Sequence, residues 1–201
     1  MFILGVTGGI GSGKSTVSSY LRDKGLLVLD ADQISSVVTD AGGIALPEIL
    51  EVFGPRAINA KGEMNRKYIS DIVFKDKTKL DVLSSIVHKY VMDYIDEQCK
   101  REREKGTKCV VLDVPLPVRR FIELCNSVWV VTCSESVRLV RLCGRGMDRE
   151  DAARRIKMQM SDEEYKKLGN FTIDNSGDIS DLYAQIDKLI EEEFHSRGIR
   201  I

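Results

Sequence analysis

The chain has 201 residues, 43% of them hydrophobic and 30% charged, enough apolar material to bury a substantial core. Thirty basic residues against 31 acidic ones leave a net charge of −1, which favours neither nucleic acid nor an anionic membrane as partner. No apolar stretch approaches the ~20 residues needed to span a bilayer, and the apolar N-terminus lacks a charged flank, so the expectation is a cytoplasmic chain without a membrane or obligate protein partner.

The first apolar run, Phe2–Val6, reads as a buried strand, and Ser15 to Lys24 reads as a helix. Between them, Gly8-Gly9-Ile10-Gly11-Ser12-Gly13-Lys14-Ser15 fits the phosphate-loop pattern G-x-x-x-x-G-K-[ST]. Glycines let such a loop turn tightly and aim several N–H groups at one point, and the helix N-terminus adds partial positive charge. Gly8, Gly11, Ser12, Gly13 and Thr16 are therefore expected to hold nucleotide phosphates, with Lys14 neutralising the outer ones and the Ser15 hydroxyl ligating Mg²⁺.

Leu26–Asp30 predicts a second strand, running into Asp30-Ala31-Asp32. A carboxylate at that strand end can accept the proton of an acceptor hydroxyl in a phosphate-loop kinase, whereas aspartates also favour strand ends and helix caps for local reasons. One of the pair is expected to be structural. From about 45 to 105 the pattern is helical, broken at Gly54-Pro55 and Lys61-Gly62, with Leu80, Leu83, Val87, Val91, Tyr94 and Ile95 at helical spacing. This segment suits a helical insertion that holds a second substrate.

Strands are predicted again at Cys109–Val114, Ser127–Thr132 and Phe171–Asp174. The alternation implies an α/β fold, a five-stranded parallel sheet flanked by helices, with strands covered on both faces. Ligands then belong beyond the carboxyl ends of the strands. The segment from about 137 to 168 is helical and carries Arg138, Arg141, Arg145, Arg149, Arg154 and Arg155. That composition fits a solvated helix face, and its place after the fourth strand fits a mobile lid. Cys99, Cys109, Cys125, Cys133 and Cys143 are odd in number with no C-x-x-C pair, which argues against a disulfide framework or zinc site and for a reducing compartment. The expectation is one phosphate-loop domain over 1–201.

No N-K-x-D segment for guanine is present, and the chain is short for a motor. Over nearly its whole length it resembles dephospho-coenzyme A kinases. The likeness is carried by Gly5 through Thr16 with the Thr7-Gly8-Gly9-Ile10-Gly11 lead-in, by Asp30-Ala31-Asp32, and by Gly62 through Asn65-Arg66. It continues with Ile72-Val73-Phe74, Val87-His88, Val114-Pro115-Leu116, Arg141-Leu142 with Arg145, Arg155-Ile156 with Gln159, and Ile173-Asp174-Asn175-Ser176-Gly177. The chain departs from the family pattern at Lys89, where Pro usually follows the histidine. It departs also at Pro117-Val118-Arg119 in place of Leu-Phe-Glu, at Gly169-Asn170 in place of Ala-Asp, and at Asn65 where Asp is common.

The resemblance implies ATP-dependent phosphorylation of the ribose 3′-hydroxyl of dephospho-coenzyme A, the last step of coenzyme A synthesis. It implies Asp32 as base, Arg145 on the phosphates, Arg141 against adenine and Asn175 near the adenine edge. Arg66 and His88 fall in the acceptor-binding region, although the leading reading of His88 is a partly buried helix residue. Asp113 suits either a Mg²⁺-bound water or a plain strand end. Two other readings remain open. One is a small phosphate-loop kinase for shikimate, a sugar acid or a nucleotide; the other is a nucleotide-binding regulator without catalysis. The long helical insertion favours a large acceptor over the first, and the presence of Lys14, Ser15 and Asp32 counts against the second.

Overall fold

A computed structural model describes residues 1–115 and 117–199. In chain order its elements are β1 (Phe2–Thr7), α1 (Lys14–Asp23), β2 (Leu27–Asp30), α2 (Ala31–Thr39), α3 (Leu46–Phe53), α4 (Arg66–Val73) and α5 (Lys77–Glu104). There follow β3 (Cys109–Asp113), α6 (Arg119–Leu124), β4 (Ser127–Thr132), α7 (Glu135–Gly144), α8 (Arg149–Met158), α9 (Asp162–Lys166), β5 (Phe171–Asp174) and α10 (Ile179–Glu193). The chain forms two compact units, Met1–Asp30 with Glu102–Ile201, and Ala31–Arg101. The second unit thus starts at α2, before the insertion expected from about 45.

In the first unit the five strands pair in parallel in the order β2-β3-β1-β4-β5. β1, β3 and β4 are buried along their whole length, as strands covered on both faces should be. β2 and β5 depart from that expectation: as edge strands with one neighbour each, both keep exposed residues. Alternate residues of β1 divide between the faces. Phe2, Leu4 and Val6 join Val17 and Leu21 of α1 and Leu182, Ile186 and Phe194 around Trp129, the largest fully buried side chain. On the other face Val128 and Val130 pack with Tyr165 of α9.

The register sets Val6 beside Asp113, Asp113 beside Asp30, and Thr132 beside Asp174. The carboxyl ends of the strands therefore share one edge of the sheet. α7 and α8 form a helical hairpin around Leu142, Ala152 and Ile156. Asp148 starts α8 by accepting from the N–H groups of Glu150 and Asp151, and Ser161 with Glu164 forms a reciprocal capping box on α9.

The second unit is helical apart from one isolated antiparallel bridge, Ile58 with Met64. Gly54 ends α3, and Asn65 caps α4 by accepting from Tyr68 N–H at 3.2 Å, which Asp would do equally well at this departure from the family pattern. Within this unit α5 turns Ile86, Val91, Met92 and Ile95 inward. The predicted face is right at Val91 and Ile95, but Leu80 is 41% exposed near the helix start. Lys89 lies mid-helix, bonds Glu48 at 2.7 Å and sits over the Tyr90 ring. Proline there would remove a helix hydrogen bond that Lys89 keeps.

Candidate active site

β1 ends at Thr7 and the phosphate loop begins at Gly8, so the sheet edge and the N-terminus of α1 define the loop's two ends. Gly13 is the N-cap of α1 at φ 91°, a left-handed conformation open to glycine and strained for other residues. Its lack of a side chain also admits Asn175: a Cβ built on Gly13 would stand 1.9 Å from Asn175 Nδ2. Lys14, Ser15 and Thr16 occupy the first turn of the helix, with Ser15 exposed. No acidic side chain occupies this first turn, which leaves the positive end of the helix dipole to an external anion.

Lys14 pairs with Asp113 at the end of β3. Asp113 is 2% exposed, and the pairing accounts for a carboxylate buried at this edge. The sequence offered a water-holding or strand-end role for Asp113; its partnership with Lys14 is a third.

Asn175 follows β5 and is buried. Its Nδ2 donates to Ser12 O at 2.7 Å, while Arg141 Nη2 donates to Asn175 O at 2.9 Å and to Oδ1 at 3.3 Å. Arg141 Nη1 also reaches Ser12 O at 3.3 Å and Cys133 Sγ at 3.4 Å. Burial pushes the Cys133 thiol up, against the pull of the Arg141 charge. A cleft of about 360 Å³ opens beside this network, lined by Gly13, Thr16, Arg141, Arg145 and Asn175. Arg145, exposed, caps the C-terminus of α7 and lines that cleft.

The arginine-rich segment is not uniform. Arg138 is 4% exposed and bonds the phosphate loop, donating from Nε to Ile10 O at 2.8 Å. Arg154 and Arg155 are exposed and pair locally with Asp151. The solvated-face reading thus holds for Arg154 and Arg155 and fails for Arg138 and Arg141. Sequence reasoning missed the Arg138 contact and that of Gln159, whose Oε1 accepts from Ile10 N–H at 2.6 Å. The three-residue step from Arg138 to Arg141 puts both on one helix face, a signal that was available.

The remaining predicted residues lie in the second unit. Asp32 is exposed in the first turn of α2, two residues beyond Asp30. Arg66 opens α4, exposed, with Nη2 donating to Thr39 Oγ1 at 3.2 Å. His88 is exposed on α5 rather than partly buried, because the helix turns Ile86, Val91 and Met92 inward instead. Leu116 of the Val114-Pro115-Leu116 segment lies outside the described residues. Pro115 O accepts from Tyr165 O–H at 3.2 Å. The Gly169-Asn170 departure belongs to the sheet: Asn170 exchanges hydrogen bonds with Val128 at 2.8 Å, and a Cβ on Gly169 would come 2.4 Å from Val130. Among the described residues no cluster of three His, Cys, Asp or Glu side chains suits a metal ion.

The sequence profile of dephospho-CoA kinase matches residues 2–181. This chain belongs to the dephospho-CoA kinase family. A dephospho-CoA kinase of Staphylococcus aureus is 39% identical over 193 residues, covering 95% of this chain and 93% of its own. A crystal structure of TT1252 from Thermus thermophilus superposes with a TM-score of 0.78 at 30% identity, covering 96% of this chain and 97% of its own. A dephospho-CoA kinase from Campylobacter jejuni gives a TM-score of 0.71 at 26% identity, covering 98% of both chains. As a member of the dephospho-CoA kinase family the chain is a phosphate-loop kinase, a transferase of coenzyme A biosynthesis.

Proposed function

We propose that Asp32, Lys14 and Arg145 carry the ATP-dependent phosphorylation of dephospho-CoA, with the ribose 3′-hydroxyl as the acceptor. The acceptor oxygen attacks the γ-phosphorus, the bond to the β,γ-bridging oxygen breaks, and ADP leaves while Asp32 takes the hydroxyl proton. The observation that carries this reading is one cleft lined by Gly13 and Thr16 together with Arg141 and Arg145, with Lys14 next to Gly13 and paired with Asp113, in a chain of this family. Gly8, Gly11, Ser12, Gly13 and Thr16 bind the phosphates through backbone and helix terminus, and Arg141 and Asn175 bound the adenine side. Lys14 and Arg145 offset the charge that shifts onto the phosphoryl oxygens during transfer. Arg66 and His88 are assigned to the acceptor.

The donor set fits Mg²⁺ held largely by phosphate and water oxygens: Ser15 offers an exposed hydroxyl on the first turn of α1, and Mg²⁺ commonly takes few protein ligands in such sites. Ser15 would hold the ion, which when bound neutralises phosphate charge. Asp113 fixes the Lys14 ammonium and is assigned a water of that ion. The proposed setting is cytoplasmic; no described helix is long and apolar enough to cross a membrane.

The test is turnover with ATP and Mg²⁺ on dephospho-CoA, shikimate and nucleotides, read by mass spectrometry. Added phosphate at the 3′-hydroxyl of dephospho-CoA is the expected result. Phosphorylation of shikimate or a nucleotide but not dephospho-CoA would overturn the acceptor assignment.

A further inference from the structure

Both backbone polar groups of Ile10 are held by side chains from the arginine-rich segment. Its N–H donates to Gln159 Oε1 at 2.6 Å, just past the end of α8, and its C=O accepts from Arg138 Nε of α7 at 2.8 Å. The Ile10 side chain packs against the core of the same hairpin, formed by Leu142, Ala152 and Ile156. Arg138 is braced in turn by Asp162 of α9, at 3.3 Å from Nη1. Its Nη2 is buried without a hydrogen bond and pressed against the loop, since a Cβ on Gly9 would lie 2.5 Å away.

We infer that Arg138 and Gln159 are positioning residues that clamp the phosphate loop at Ile10 and hold it in register with the arginines of α7. An unrestrained loop of four glycines in eight residues samples many conformations, and binding phosphates must remove that freedom. The clamp removes part of it beforehand, which strengthens nucleotide binding without any contact to the nucleotide. Because Arg138 and Arg141 lie on α7 and Arg145 caps its C-terminus, the same clamp sets how the cleft-lining arginines stand over the loop. The Ile10 N–H, spent on Gln159, is not among those presented to phosphate.

This inference rests on the kinase reading for its effect on ATP, and on geometry alone for the clamp itself. Gln159 is exposed, so its replacement leaves the core intact. Gln159→Leu removes the acceptor, and Gln159→Glu retains one. Hydrogen exchange of the Ile10 amide, measured without nucleotide, should accelerate about 3- to 10-fold in Gln159→Leu and stay near the parent rate in Gln159→Glu, the range for loss of one net hydrogen bond. ATP affinity by calorimetry should weaken by a similar factor in Gln159→Leu and recover in Gln159→Glu, with melting temperature unchanged. Unchanged Ile10 exchange in Gln159→Leu would overturn the clamp, as would accelerated exchange with unaltered ATP affinity. A parent chain that binds no ATP would instead overturn the kinase reading, while the exchange comparison would still decide whether the clamp exists.

Discussion

Gly13 and Gly25 share a φ of 91° but differ in surroundings, which isolates what the phosphate loop demands of its last glycine. Alanine at either site must adopt a left-handed conformation, at about 1–2 kcal/mol. At Gly25 nothing lies within 4 Å of the new methyl group, so the cost should end there. At Gly13 the methyl would fall 1.9 Å from Asn175 Nδ2 and 3.4 Å from Arg141 Nη1. Asn175 must move, losing its 2.7 Å bond to Ser12 O inside the protein. Displacing a buried amide from its partner adds about 1–3 kcal/mol. Gly13→Ala should therefore cost about 2–5 kcal/mol in total and Gly25→Ala about 1–2 kcal/mol. Urea unfolding of both variants against the parent measures the difference, and calorimetric ATP titration should show a loss confined to Gly13→Ala. Equal destabilisation, or ATP binding intact in Gly13→Ala, would refute the claim that Asn175 depends on that missing side chain.

Asp32→Asn keeps size but removes the proton acceptor, so turnover should fall by about 10²–10⁴-fold with little change in ATP affinity, read by steady-state kinetics beside calorimetry. If Asp30→Asn abolishes turnover and Asp32→Asn does not, the base is the other carboxylate. Arg145→Ala should lower turnover by about 10³-fold, checked by single-turnover phosphoryl transfer. Glu193, 6% exposed, accepts from Ser127 Oγ at 2.8 Å and Trp129 Nε1 at 2.7 Å. Glu193→Ala orphans both donors and should destabilise the chain by about 2–5 kcal/mol in urea unfolding, with Trp129 fluorescence as the probe. Burial first, and then the Glu193 charge, push the Cys109 thiol up to about 12, from an ordinary value of 9.0. Between those values the unfolded chain releases a proton that the folded chain retains, so this thiol contributes a loss of stability as pH rises above 9. Cys109→Ala should make the fall in stability with pH shallower there by up to about 1.4 kcal/mol per pH unit, measured by urea unfolding from pH 8 to 10.5.

Local features of the sequence were enough to reveal the phosphate loop, because a strand, a glycine-rich turn and a helix N-terminus act within about twenty consecutive residues. The same holds for the parallel α/β class, since alternating short apolar strands and amphipathic helices leave few ways to bury their faces. Strand order is another matter. β1 lies between β3 and β4, a choice made by crossovers and face packing rather than by any residue pattern. His88 shows the limit within one helix: helical spacing was legible, but its inward side was decided by the neighbours of α5 in the second unit.

The arginine-rich segment shows the limit for the site. Composition could not separate the buried Arg138 from the solvated Arg154 and Arg155, because each is an arginine on a helix. Lys14 meets Asp113 across 99 positions, Arg138 meets Ile10 across 128, and Gln159 meets Ile10 across 149. The chain by itself determined the chemistry on offer: a cradle for phosphate, a lysine, a hydroxyl, and carboxylates at strand ends. Tertiary structure decided which of those groups meet, because spacing controls the direction of a side chain only within its own strand or helix, whereas contacts between distant elements depend on how those elements pack.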